Sequence, residues 1–203
     1  HISNVMHLRC IDINKIKKKN FKIVVDTVNG AAYKILPRLL EKLNCDVIKI
    51  HCENDGTFPR GTEPIASHLT DLSNAVKKHN ADIGLATDPD ADRLAIVDNN
   101  GKAIGEENTL VLALESYLKY YKDSQQVITN LSTSMAVDKI CEIYNSTVER
   151  TLIGEINVVE KMKEIGSKIG GEGNGGVILK ESHLGRDSIV ASALILNHLA
   201  HSN

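Results

Sequence analysis

Asp88, Asp90 and Asp92 alternate with Pro89 and Ala91 and run directly into Arg93. Three carboxylates held within a few ångströms of one another repel strongly unless a cation neutralises them. A proline between the first two favours a sharp turn, which lets all three converge on one point. Ligands that are all oxygen suit a hard divalent ion, with Mg²⁺ first, Mn²⁺ next and Ca²⁺ a poorer choice. Asp88, Asp90 and Asp92 are therefore the candidate metal ligands and Mg²⁺ the expected cofactor. Arg93 beside them would face an anion, for which phosphate is the natural candidate. The plainer reading is a solvated acidic turn, since Asp-Pro-Asp is common in turns. Against it, the loop follows the strand-like run 81–86, and α/β sheets bind ligands at the C-terminal ends of their strands. A calcium EF-hand fits poorly, because Arg93 stands at the required glycine position and Asn99 at that of the final glutamate. A phosphatase loop that forms an aspartyl-phosphate also places two aspartates after a strand and stays a rival.

A second cluster, Gly170-Gly171-Glu172-Gly173-Asn174-Gly175-Gly176, is flanked by strand signals. It reads either as a flexible linker or as a loop whose small residues let a ligand approach the backbone. Glu172 and Asn174 present a carboxylate and an amide two residues apart, which suits paired hydroxyls such as those of a sugar. His183, Arg186 and Asp187 surround Gly185, with Asp187 placed to cap the last helix and the others open to a substrate role. Ser67-His68 is no evidence of a nucleophile pair; Ser67 reads as a helix cap. Arg60-Gly61-Thr62-Glu63-Pro64 reads as a connecting turn rather than a phosphate loop.

These loops need elements to hold them. Strands are expected at 21–26, 46–50, 81–86, 94–98, 126–129, 147–149, 167–169 and 177–179. Helices are expected at about 31–43, 67–79, 107–121, 134–144, 157–165 and 187–200. Strand–helix alternation argues for layered α/β sandwiches. The expected division is a linker or the end of a preceding domain over 1–20, a unit with the aspartate loop over 21–104, and a second unit over 105–203.

The chain has 203 residues with a net charge of −2, so no strong field selects nucleic acid or an acidic membrane as partner. The basic run Lys15, Lys17, Lys18 and Lys19 reads as a solvated face. Four cysteines form no CxxC pair, and no signal peptide or apolar span of about 20 residues is visible. Reduced thiols in the cytoplasm follow as the expectation. The start at His1 rather than Met reads as a piece of something longer.

Taken together, the motifs resemble the α-D-phosphohexomutase superfamily. They are Val24-Val25-Asp26 with Asn29-Gly30-Ala31, the run Asp88 to Arg93, Arg150-Thr151 with Gly154, Gly171 to Gly176, and Gly185-Arg186-Asp187. The superfamily includes phosphoglucomutases, phosphomannomutases and phosphoglucosamine mutases, and the glycine loop looks most like the last two. The resemblance implies two tandem three-layer α/β/α sandwiches with mixed sheets, matching the second and third of four domains. It implies a phosphoryl transfer between O1 and O6 of a hexose phosphate through a phosphoserine and a bisphosphate. Mg²⁺ on Asp88, Asp90 and Asp92, a catalytic Arg93, and a substrate site of Glu172, Asn174, Gly175, His183 and Arg186 are implied with it. The serine domain and the phosphate-clamping domain are the implied partners, so the isolated chain is expected to be inactive. Many members carry Glu-x-Ser-Gly-His in the sugar loop, where this chain has Asn174 and Gly176, which leaves the acid or base of this loop open, with His183 a candidate. A non-enzymatic metal- or sugar-binding module is the remaining alternative.

Overall fold

The computed structural model describes residues 1–202. Lys22–Asp26 (β1) is buried at every position but its first, as expected of a central parallel strand. It pairs in parallel with Asp46–Ile50 (β2) and Ile83–Thr87 (β3), and β3 turns back into antiparallel Leu94–Asp98 (β4). The second sheet repeats the plan. Gln126–Asn130 (β5) lies between parallel Thr147–Thr151 (β6) and Ile169–Glu172 (β7), and Gly176–Leu179 (β8) runs antiparallel to β7. The strand orders are β2-β1-β3-β4 and β6-β5-β7-β8. Each sheet packs with helices into an α/β/α unit, as the resemblance implied.

The helices are Ile2–Val5 (α1), Ile13–Lys19 (α2), Ile35–Lys42 (α3), Thr70–His79 (α4), Glu107–Tyr120 (α5), Ala136–Ile143 (α6), Glu155–Ile165 (α7) and Ser188–His201 (α8). Successive strand residues face opposite sides of a sheet. Val24, Ala86 and Val97 therefore pack under Leu72 and Val76 of α4, while Ile128 and Ile178 pack under Val158 and Met162 of α7. The opposite faces, with Ile23, Val25 and Leu85 from one sheet and Val127, Ile169 and Val177 from the other, belong to one continuous apolar core. Helices α5 and α8 lie within it, touching strands of both units. Helix α8 is buried from Ser188 to Asn197, because it is apolar all round.

Several boundaries differ from expectation. Residues 1–20 carry α1 and α2, whose Val5 and Ile16 are buried in the shared core. Asp12 caps α2 by accepting from the Lys15 N–H at 2.9 Å. The first central helix begins at Ile35 rather than near 31, because Ala31 N–H donates to the Pro89 carbonyl at 2.7 Å. Pro37 then falls in the first turn, where its missing N–H costs nothing. Ser67 does not cap α4: it lies in a 3₁₀ turn, Ala66–His68, which His68 ties to the Glu63 carbonyl at 2.8 Å. Strands β7 and β8 extend into the glycine cluster, so only Gly173, Asn174 and Gly175 form the loop between them.

Candidate metal and substrate site

The aspartate loop joins β3 to β4 and is fastened at three places. Ala91 takes a left-handed backbone (φ 65°) and turns the chain. The loop also folds over Asp88, whose Oδ1 accepts from the N–H groups of Asp92 (3.1 Å) and Arg93 (3.0 Å). Ser188 at the start of α8 donates its backbone N–H (3.1 Å) and hydroxyl (2.6 Å) to the Ala91 carbonyl. From the other side Gly30 lies against Pro89, where an added Cβ would fall 2.5 Å from the Pro89 oxygen.

This clamping brings the three carboxylates together: one oxygen of each of Asp88, Asp90 and Asp92 lies within 4.8 Å of the others. Asp88 is fully buried, Asp92 partly so and Asp90 exposed. Burial, then the adjoining Asp88 carboxyl, pushes Asp92 up to about 7. Burial works against Asp88 as well, but hydrogen bonds from Asp92 and from the backbone and side chain of Arg93 hold it below the usual carboxylate range. Among the described residues, buried Asp92 Oδ1 has no hydrogen-bond partner. An all-oxygen cluster with an orphaned buried acceptor fits a hard divalent cation.

Arg93 is not open to solvent as a bare anion receptor. Its Nε donates to Asp88 Oδ2 at 2.5 Å, and its two terminal nitrogens fork onto the Glu63 carboxylate. The hydrogen bond to Glu63, and then that to Asp88, keeps the Arg93 guanidinium above its usual range. The segment 60–64 is thus more than the connecting turn expected. Arg60 is buried and donates to the Thr87 carbonyl at 2.5 Å, and its Nε lies 2.8 Å from Asp26 Oδ2. It pins the strand end from which Asp88 projects.

The glycine loop meets the aspartate loop directly. Leu94 N–H donates to the Gly175 carbonyl at 3.1 Å, and Arg93 forms an antiparallel bridge with Gly176. Arg186 joins the two loops through its side chain. One terminal nitrogen pairs with Asp92 Oδ2, the other donates to Glu172 Oε2 at 2.6 Å, and its backbone N–H donates to Glu155 Oε1 at 2.7 Å. Glu172 is 2% exposed, and its second oxygen accepts from Asn130 Nδ2 (2.6 Å) and Gly154 N–H (3.2 Å). A sugar hydroxyl reaches this carboxylate only where Arg186 or Asn130 gives way. Asn174 is half-buried, with its Oδ1 accepting from Gly176 N–H at 3.2 Å. His183 turns to Asp187, with Nε2 2.9 Å from Oδ2, while Asp187 Oδ1 caps α8 as expected.

Asn130, Thr133 and Glu155 were not singled out from sequence. Their signal was position: Asn130 ends β5 as Asp26 ends β1. Each accepts at Oδ1 from the N–H two residues on, Val28 at 2.9 Å and Ser132 at 3.1 Å. Thr133 Oγ1 accepts from the Gly173 N–H at 3.0 Å, which steadies the glycine loop.

The loop-to-loop contact generates a prediction. At Gly175 (φ 92°) an added Cβ would lie 2.4 Å from the Leu94 carbonyl oxygen, whereas Gly56 (φ 64°) meets nothing within 4 Å. Gly175→Ala is expected to destabilise the chain by about 2–4 kcal/mol in urea unfolding, and Gly56→Ala by about 1 kcal/mol. Equal losses would show that the steric contact with Leu94 does not matter.

Residues 1–101 match the family described as phosphoglucomutase/phosphomannomutase, alpha/beta/alpha domain II, and residues 106–203 match domain III of the same family. The chain is 37% identical over 193 residues to a phosphoglucomutase/phosphomannomutase of Thermococcus kodakarensis, covering 95% of this chain and 42% of that protein. It is 33% identical over 183 residues to a phosphoglucosamine mutase of Phenylobacterium zucineum, covering 90% of this chain and 40% of that protein. A crystal structure of a phosphoglucomutase/phosphomannomutase family protein from Burkholderia thailandensis superposes with a TM-score of 0.82 at 27% identity, covering 94% of this chain and 43% of that one. The chain therefore spans less than half the length of these relatives. With both of its α/β/α units matched and the two loops meeting between them, the chain belongs to the phosphoglucomutase/phosphomannomutase family, of which it comprises domains II and III.

Proposed function

We propose that the full-length protein is a phosphohexomutase interconverting the 6-phosphate and 1-phosphate of a hexose, with glucosamine and mannose phosphates as the substrate class. The observation that carries this reading is the junction of the aspartate loop and the glycine loop through Arg186, within a chain whose two units both match the family. Asp88, Asp90 and Asp92 would hold Mg²⁺, which when bound would supply positive charge to offset that on a transferring phosphoryl group. Arg93 binds the phosphoryl oxygens by exchanging the Glu63 carboxylate for them, since the same planar fork matches both anions. Arg186 and the Asn174 amide meet the sugar, and Glu172 holds Arg186 in place. The missing side chain of Gly175 lets the glycine loop close on Leu94, which holds that loop at the site. The phosphoserine and the clamp on the distal phosphate come from the rest of the full-length protein.

The raised Asp92 carboxyl gives the metal reading a pH signature. The folded state keeps a proton on Asp92 up to about pH 7, whereas the unfolded chain releases it near the ordinary carboxylate value. Stability therefore falls as pH rises between those values. A cation competing for the same oxygen binds better once the proton is gone. Mg²⁺ is expected to raise the Tm more at pH 8 than at pH 5.5, and an equal shift at both, measured by scanning calorimetry, would remove Asp92 from the ligand set.

The activity reading has its own test. The 203-residue chain alone is expected to show no turnover of glucosamine 6-phosphate or mannose 6-phosphate in a coupled assay. The full-length protein is expected to turn one of them over and to lose about a hundredfold or more in kcat on Asp90→Ala. Wild-type kcat in that variant at saturating substrate refutes the assignment.

A further inference from the structure

A second cluster of ligating side chains lies at the start of α8, outside the aspartate loop. His1 Nε2 is 2.8 Å and His183 Nε2 2.9 Å from the same oxygen, Asp187 Oδ2. The three ligand atoms all fall within 4.8 Å of one another. The two imidazoles meet at an interplanar angle of 66° with centroids 5.9 Å apart. They approach the carboxylate from different directions instead of stacking.

We propose that His1, His183 and Asp187 form a binding site for a borderline divalent transition ion of the zinc type. Two imidazoles and one carboxylate are a donor set that suits such an ion and serves Mg²⁺ poorly. The carboxylate is already oriented. Asp187 is 5% exposed, and its other oxygen accepts from the N–H groups of Ile189 (2.8 Å) and Val190 (3.1 Å). Oriented ligands of this kind are what metal sites use to hold their geometry. Zinc-to-ligand distances near 2.0–2.1 Å place tetrahedral ligand atoms roughly 3.3 Å apart. The observed nitrogen–oxygen pairs need to open by only about half an ångström to admit the ion. The rings are free to make that adjustment, since the side chains of His1 and His183 are 29% and 48% exposed. That exposure also leaves a coordination position for water or another ligand.

The site is placed to act on the junction between the loops. Asp187 follows Arg186, which bridges Asp92 and Glu172, and precedes Ser188, which holds the Ala91 carbonyl. An ion at this point ties the segment preceding α1 to residues 183–187 and stiffens the support of both loops. The inference is independent of the mutase reading and of the Mg²⁺ loop.

Zn²⁺ titration by calorimetry, with excess Mg²⁺ present to occupy the aspartate loop, tests it. The chain is expected to bind one Zn²⁺ with a micromolar or tighter Kd. His183→Gln and His1→Gln, at exposed positions where folding is not at stake, are each expected to weaken it by about tenfold or more. Co²⁺ in place of Zn²⁺ is expected to give visible ligand-field absorption that His183→Gln abolishes, while the Mg²⁺ response in thermal unfolding is retained. Absence of Zn²⁺ binding, or binding that either His substitution leaves unchanged, overturns the proposal and leaves a hydrogen-bonded His–Asp–His trio.

Discussion

The guanidinium of Arg186 lies between two carboxylates contributed by different sheets, Asp92 from the β3–β4 loop and Glu172 from the end of β7. With its side chain only 17% exposed, it has little water to fall back on. Removing one partner from a pair this buried leaves a charge uncompensated, which typically costs about 3–5 kcal/mol. The arrangement is therefore constrained from both ends: neither loop moves without leaving Arg186 or one of its acids unpaired. The Leu94–Gly175 hydrogen bond and the apolar layer around α8 hold the same junction from the backbone side. Helix α8 serves both purposes. Its apolar length fills the shared core, and its first turn presents Ser188 to the aspartate loop.

The two units place their loops by the same geometry. In each, the third strand runs parallel to the central one and then turns antiparallel into the fourth. The aspartate loop and the glycine loop are those two turns, each beginning at the C-terminal end of a strand. Asp26 and Asn130 end the central strands and organise the following backbone in the same way. What differs is the chemistry installed on the turn. One carries three carboxylates that converge; the other carries glycines close enough to the first loop that a side chain would collide with it. A repeated scaffold thus presents an acidic turn and a narrow polar turn to one another.

Much of this was legible in the residues, and the part that was not has a common cause. The strand cores of Ile and Val, the convergence of Asp88, Asp90 and Asp92, and the cap at Asp187 follow from local pattern and spacing. The pairing of Arg186 with Asp92 spans 94 residues of sequence, and that of Arg93 with Glu63 spans 30. No local rule links such partners. Glu63 and Arg60 looked like parts of a turn because composition describes a loop without saying what it folds onto. Helices α1 and α2 escaped notice because they are short. The lysines of α2 hide a single buried Ile16, and only the tertiary contact with α8 makes that helix worthwhile. Glu172 was legible as a candidate site residue, yet not its burial or its engagement with Arg186, Asn130 and Gly154.

Charge balance sets the order in which such a site can fill. Asp88, Asp90, Asp92, Glu63, Glu155 and Glu172 surround Arg93 and Arg186, so six carboxyl groups face two guanidinium groups. Two unit charges of like sign 4 Å apart repel by about 4 kcal/mol at an effective dielectric of 20. A phosphate approaching this junction unaided meets that repulsion from several carboxylates at once, while both arginines are already paired. Proton uptake by Asp92 relieves part of it, and a divalent cation among the aspartates relieves more. With the cation in place, the advantage Arg93 gains from Glu63 shrinks relative to what phosphate offers, because the same fork can then face a dianion beside a fixed positive charge. On the proposed function, the cation would therefore enter first and the phosphate second, with Glu63 holding the Arg93 fork until then.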